Sequence, residues 1–147
     1  VFQSQIASLV MDGAFARFPD LRVSLIEGGF TWLPAWMWRI DKEWKGLRRE
    51  TPWVKEPPSH YMREHVRLTI QPLDDPPDSE HLSQVIDQLQ SDDMLLFSTD
   101  YPHWHFDVAE EAIPQGLSES LLEKILQLNL HQMNFSHCTV LQEKLKL

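Results

Sequence analysis

The chain has 147 residues, enough for one domain with a real core and too few for two of usual size. With 42% hydrophobic and 24% charged residues it has a globular composition, and no apolar run is long enough to span a bilayer. A formal net charge of −9 argues against a nucleic-acid surface, which needs clustered Lys and Arg.

The opening residues, Val1-Phe2-Gln3-Ser4-Gln5, carry neither an initiating Met nor a basic-then-apolar leader, so the chain is read as starting inside a longer protein. Ile6, Leu9, Val10, Ala14 and Phe18 recur at helical intervals, and Pro19-Asp20 ends that amphipathic helix. Leu21 to Ile26 reads as a short strand. Glu27-Gly28-Gly29 then supplies the loose backbone of a strand-to-helix turn. A helix is predicted from Trp32 to about Lys45, with Pro34 tolerated in its first turn. Four of the six Trp fall between Trp32 and Trp44, and at helical spacing such crowding points to core or subunit interface before a substrate box.

Gly46 to Ser59 is a charged, proline-bearing connection, and Tyr61 to His65 a short helix. Val66-Arg67-Leu68-Thr69-Ile70 alternates apolar and polar and predicts a strand ending at Gln71 and Pro72. The turn cluster Asp74-Asp75-Pro76-Pro77-Asp78 precedes a helix marked by Leu82, Val85, Ile86 and Leu89, with Asp78 as its N-cap. Met94 to Ser98 is an apolar strand buried on both faces, and its first charged residue is Asp100. A final helix runs from about Ser118 through Leu128, with Ser118 as cap and Glu119 placed well for its N-terminus. The single cysteine, Cys138, excludes an internal disulfide and fits a reducing, cytoplasmic compartment.

Strands alternating with helices imply parallel βαβ units. Three such strands make a poor free-standing sheet, so a segment of a larger α/β barrel is expected. Ligands and metals in parallel α/β proteins sit at the carboxyl ends of the strands. Asp100 at such an end is therefore either a functional carboxylate or the cap of the next turn. Arg67 and Gln71 flank the middle strand as candidate substrate-binding groups, Arg67 by two parallel hydrogen bonds to a carboxylate. Arg67 is equally read as a solvated partner of nearby acids.

Several motifs in order carry a resemblance. They are Gly13-Ala14-Phe15-Ala16-Arg17-Phe18-Pro19-Asp20-Leu21-Arg22-Val23, Glu27-Gly28-Gly29, Trp32-Leu33-Pro34, Arg39-Ile40-Asp41 and Phe97-Ser98-Thr99-Asp100-Tyr101-Pro102-His103. This set resembles the C-terminal part of the amidohydrolase-related family, which includes the aminocarboxymuconate semialdehyde decarboxylases and related metal-dependent hydrolases. The resemblance implies the last three strand-helix units of a (β/α)8 TIM barrel with a divalent metal, most commonly zinc, at the carboxyl ends of its strands. It assigns residues 1–125 to that barrel domain and leaves 126–147 as a divergent tail.

The resemblance implies Asp100 as a metal ligand and catalytic carboxylate, able to accept a proton from metal-bound water. His103, on the same loop, then orients the carboxylate or the substrate; otherwise it is a histidine bonded to backbone at a turn. His105 is a candidate wall of the substrate pocket. Glu27 stands where decarboxylase members usually carry a histidine. It either takes over as proton donor or acceptor, or pairs with Arg39 or Arg67 to hold the barrel rim. The family's first-strand His-x-His pair and its middle-strand histidine have no counterpart here; only His103-Trp104-His105 has that spacing, at the wrong strand end.

The implied function is a metal-dependent hydrolase or non-oxidative decarboxylase acting on a carboxylated or carbonyl-bearing small molecule, with a homodimer as candidate assembly of the full-length protein. The alternative is a non-catalytic barrel fragment or association module that lacks most metal ligands and docks through its Trp32 to Trp44 segment.

Overall fold

The computed structural model describes residues 1–74, 76–99, 113 and 116–128. Along the chain run α1 (Phe2–Met11), α2 (Ala14–Arg17), β1 (Val23–Leu25), α3 (Leu33–Leu47), α4 (Pro58–His65), β2 (Val66–Thr69), α5 (Ser79–Leu89), β3 (Leu95–Leu96) and α6 (Glu119–Glu123), which continues as a π-helical turn over Lys124–Leu128. The three strands are parallel in the order β1-β2-β3. Val23 faces Val66 and Leu25 faces Leu68, while Leu68 faces Leu95 and Thr69 faces Leu96. The βαβ reading of the hydrophobic pattern thus holds, and all four residues of the central strand are buried, as a strand between two neighbours requires.

The helix predicted through Phe18 is two helices. Gly13 takes a left-handed φ of 79°, and a Cβ placed there would lie 2.5 Å from Trp53 Cδ1. The same indole donates from Nε1 to the Met11 carbonyl at 2.6 Å, closing the end of α1. The left-handed Gly13 ends α1 locally and Trp53 packs over that end, a break that apolar periodicity alone does not show.

One core gathers the helices on the sheet. Ile6 and Val10 of α1, Phe15 of α2, Met37 and Ile40 of α3, Met62 of α4 and Leu82 and Leu89 of α5 close over Leu25, Val66, Leu68, Ile70 and Leu95. Full burial of each such side chain contributes about 1.5–3 kcal/mol. Trp44 belongs to this core, Trp32 and Trp36 meet edge to face at 5.8 Å, and Trp38 is exposed. The aromatic segment is therefore core along one side only.

Helix α4 begins on two prolines that bring no N–H donors of their own, and its start is held from α3. Asp41 accepts from the Ser59 amide at 2.9 Å and from the Ser59 hydroxyl at 2.7 Å. Two N-caps predicted from sequence form as expected: Asp78 accepts from the Glu80 amide at 2.9 Å, and Ser118 from the Leu121 amide at 3.3 Å. Among the described residues no helix is long and apolar enough to cross a membrane.

Candidate active site

The regular ladder between the strands runs out where the polar residues begin. Its last rung between β2 and β3 is the Ile70 amide on the Leu96 carbonyl, at 2.9 Å. Past that point two hydroxyls take over. The Glu27 amide, just beyond β1, donates to Thr69 Oγ1 on β2 at 3.0 Å, and the Gln71 amide, just beyond β2, donates to Ser98 Oγ after β3 at 3.2 Å. Thr69 uses its own proton on the Gln71 carbonyl at 2.9 Å. Each amide that overruns its strand is thus satisfied by a hydroxyl at the end of the neighbouring strand or just beyond it.

These contacts bring the carboxyl ends of all three strands into one rim. Glu27 has a left-handed φ of 58°, unusual for a residue with a side chain, and its exposed carboxylate has no hydrogen-bond or ion-pair partner among the described residues. The two arginines weighed as its partners are occupied elsewhere. Arg39 pairs with Glu43 at 2.7 Å on the surface of α3, and Arg67 turns to backbone carbonyls.

Behind the rim the loops after β1 and β2 touch. Gly29, with φ of 59°, lies so close to the second loop that a Cβ would stand 2.9 Å from Asp74 Oδ2, and Thr31 donates to that same oxygen at 3.3 Å. The Gln71 side chain folds back to accept from the Leu73 amide at 3.1 Å, shaping its own loop.

Of the sequence-predicted residues, Glu27 and Gln71 therefore both stand at the rim, linked through Thr69. Arg67 does not join them. It is the second residue of β2, near the amino end, and is buried. Its Nη1 donates to the carbonyls of Arg63, Glu64 and Val66 at 3.1, 3.2 and 3.0 Å, closing the C-terminus of α4. Burial draws its guanidinium below the ordinary arginine range, with Asp93 opposing that shift and Arg22 adding to it. Asp100, His103 and His105 lie outside the described residues, as does the segment 129–147 of the expected tail.

Thr69 and Ser98 join the rim without being marked as site residues by the sequence motifs. Thr69 is the last residue of β2 and Ser98 lies two residues past β3, each a polar residue beside a strand end, and that placement is the one signal that marks them. Among the described residues no three His, Cys, Asp or Glu side chains gather closely enough to hold a metal ion, so these residues do not by themselves form a metal site. A cavity of about 530 Å³ lies between the end of α5 and α6, lined in part by Asp87, Asp92, Asp93, Ser118 and Lys124, whose Nζ stands 3.3 Å from Asp92 and 3.5 Å from Asp93.

A family model described as amidohydrolase matches residues 2–129. No curated protein sequence matches the chain. Among solved structures, an amidohydrolase from Mycobacterium avium subsp. paratuberculosis K-10 is 25% identical with a TM-score of 0.71, over 89% of this chain and 32% of that one. A 2,6-dihydroxybenzoate decarboxylase from Rhizobium is 26% identical with a TM-score of 0.61, over 89% of this chain and 40% of its own. A dihydroxybenzoic acid decarboxylase from Polaromonas sp. JS666, solved with manganese and the inhibitor 2-nitroresorcinol, is 25% identical with a TM-score of 0.67, over 99% of this chain and 42% of its own. The chain spans about a third to two fifths of the length of these proteins. With the family matched across nearly its whole described length and the strand ends arranged as a common rim, the chain belongs to the amidohydrolase family.

Proposed function

We propose that the full-length protein is a metal-dependent enzyme of the amidohydrolase superfamily that removes carboxyl groups from carboxylated aromatic small molecules without an oxidant. The observation that supports this reading is the joining of the carboxyl ends of β1, β2 and β3 through Thr69 and Ser98, which sets Glu27 and Gln71 on one rim, with Ser98 two residues before Asp100 in the sequence. In this reading the sheet forms the last three strands of a TIM barrel whose catalytic face is that rim. Decarboxylation is favoured over hydrolysis by the likeness to the two dihydroxybenzoate decarboxylases.

Asp100 is assigned as one ligand of a divalent metal, zinc or manganese, with the other ligands outside this chain. A bound metal would supply a fixed positive charge to the site. The residues of this chain orient the substrate and move a proton: as the carbon–carbon bond breaks and carbon dioxide leaves, the electron pair stays on the ring carbon and takes up a proton. Glu27 or His103 delivers it. Gln71 and His105 line the substrate's side of the pocket. The lone Cys138 supports a reducing, cytoplasmic compartment, and a homodimer is the proposed assembly.

Incubation of the full-length protein, loaded with manganese or zinc, with a panel of hydroxybenzoates tests this reading by release of carbon dioxide. Metal-dependent release from at least one ortho-hydroxylated member is expected. Hydrolysis of an ester or amide panel with no release from any benzoate would overturn the decarboxylase assignment.

A further inference from the structure

We propose that Thr69 is a positioning residue of the active site, whose hydroxyl sets the direction of the Glu27 carboxylate. The inference rests on the assignment of Glu27 to proton transfer. Three observations carry it. Thr69 is buried, so its hydroxyl must find partners within the protein. Both capacities of that hydroxyl are used on the rim: it accepts from the Glu27 amide at 3.0 Å and donates to the Gln71 carbonyl at 2.9 Å, in preference to the Leu25 carbonyl at 3.5 Å. Glu27 itself sits at a φ of 58°, where residues with a side chain persist only when their surroundings hold them.

The Thr69 bond is thus the tie that fixes the backbone from which the Glu27 carboxylate projects. The side chain has no partner of its own among the described residues, so its aim depends on that backbone. A shift of about 1 Å in a reacting group costs on the order of a hundredfold in rate. Through its bond to the Gln71 carbonyl the same hydroxyl also shapes the turn that leaves β2. A purely structural threonine would affect folding and substrate binding together, whereas a positioning threonine affects the chemical step with binding preserved.

The test compares Thr69→Val, which keeps the shape and removes the hydroxyl, with Thr69→Ser, which keeps the hydroxyl, in the full-length manganese-loaded protein. Amide hydrogen exchange at Glu27 and steady-state kinetics on the hydroxybenzoate found active are read side by side. Thr69→Val is expected to expose the Glu27 amide to exchange and to lower kcat about ten- to a hundredfold with KM within about twofold. Thr69→Ser is expected to restore protection and most of kcat. Unchanged exchange at Glu27 in Thr69→Val overturns the inference, as does an unchanged kcat once protection is lost. If Thr69→Val does not fold, exchange and kcat in Thr69→Ser decide: loss of either there overturns it. A wild-type protein with no turnover overturns the functional reading instead and takes the catalytic part of this inference with it, while exchange alone still decides whether Thr69 holds Glu27.

Discussion

The amide of Gln71 donates to the hydroxyl of Ser98 at 3.2 Å, and Ser98 lies two residues before Asp100 in the chain. This bond ties the end of β2 to the stretch that leads into the candidate metal ligand. Ser98→Ala removes the acceptor. A loss of about 1 kcal/mol in stability is expected from the lost hydrogen bond. Calorimetric titration of the full-length protein with manganese is expected to show about tenfold weaker binding, because groups that orient a ligand are worth that much. Wild-type affinity in Ser98→Ala would mean that the segment is held by other contacts.

Gly29 separates the two loops behind the rim. An alanine there meets both a left-handed φ of 59° and an Asp74 oxygen 2.9 Å from its Cβ. Gly29→Ala is expected to destabilise the protein by about 1–3 kcal/mol, measured by urea unfolding. Adding Asp74→Ala clears the close contact and leaves the backbone strain, so part of the loss and not all of it should return. Full recovery in the double variant would show that only the contact mattered.

Arg67 separates a structural role from a substrate role. Its Nη1 closes the last carbonyls of α4 from the amino end of β2, away from Glu27 and Gln71. Arg67→Met is expected to cost about 2–3 kcal/mol, since it leaves buried carbonyls without a donor. KM for a carboxylated substrate should stay within about twofold of wild type in the surviving folded enzyme. A large rise in KM with unchanged stability would restore Arg67 to the substrate site.

Lys124 links the π-helical turn to the residues before β3. Its hydrogen bond to Asp92, and the neighbouring Asp93, raise its ammonium above the ordinary 10.5 against a smaller opposing effect of desolvation. A group raised in the folded state stabilises fully below its unfolded value and loses that contribution as pH climbs through the folded one. The tie is therefore intact at neutral pH and fails only in strong alkali, above about 10.5. Lys124→Met is expected to flatten the alkaline limb of the stability profile followed by circular dichroism, with little change between pH 6 and 8. An unchanged alkaline limb would show the link to be energetically silent, as exposed pairs often are.

Much of this arrangement is legible in the sequence because it rests on local patterns. Leu21 to Ile26, Val66 to Ile70 and the apolar run before Ser98 announce strands, and Glu27 and Gln71 are the polar residues at which the first two stop. Asp78 and Ser118 cap the helices they were expected to cap. The remainder depends on contacts between distant segments. Trp53 packs over the break between α1 and α2 at Gly13 from forty residues away, and Asp41 holds the start of α4 from a neighbouring helix. Arg67 looked like a strand-end group because it is polar and near Gln71 in sequence, but a four-residue strand separates the two ends in space. Thr69 passed as the polar half of an alternating pattern, since alternation shows which face a residue takes and not which amide it meets.

The central claim is that this chain contributes Asp100 to a metal centre at that rim. The most direct measurement is the metal content of the full-length protein and of its Asp100→Ala variant after exhaustive dialysis, with folding checked by circular dichroism. The account predicts about one divalent ion per wild-type chain and at least a tenfold loss of affinity in the folded variant. Equal metal content and equal affinity in the two proteins would contradict it.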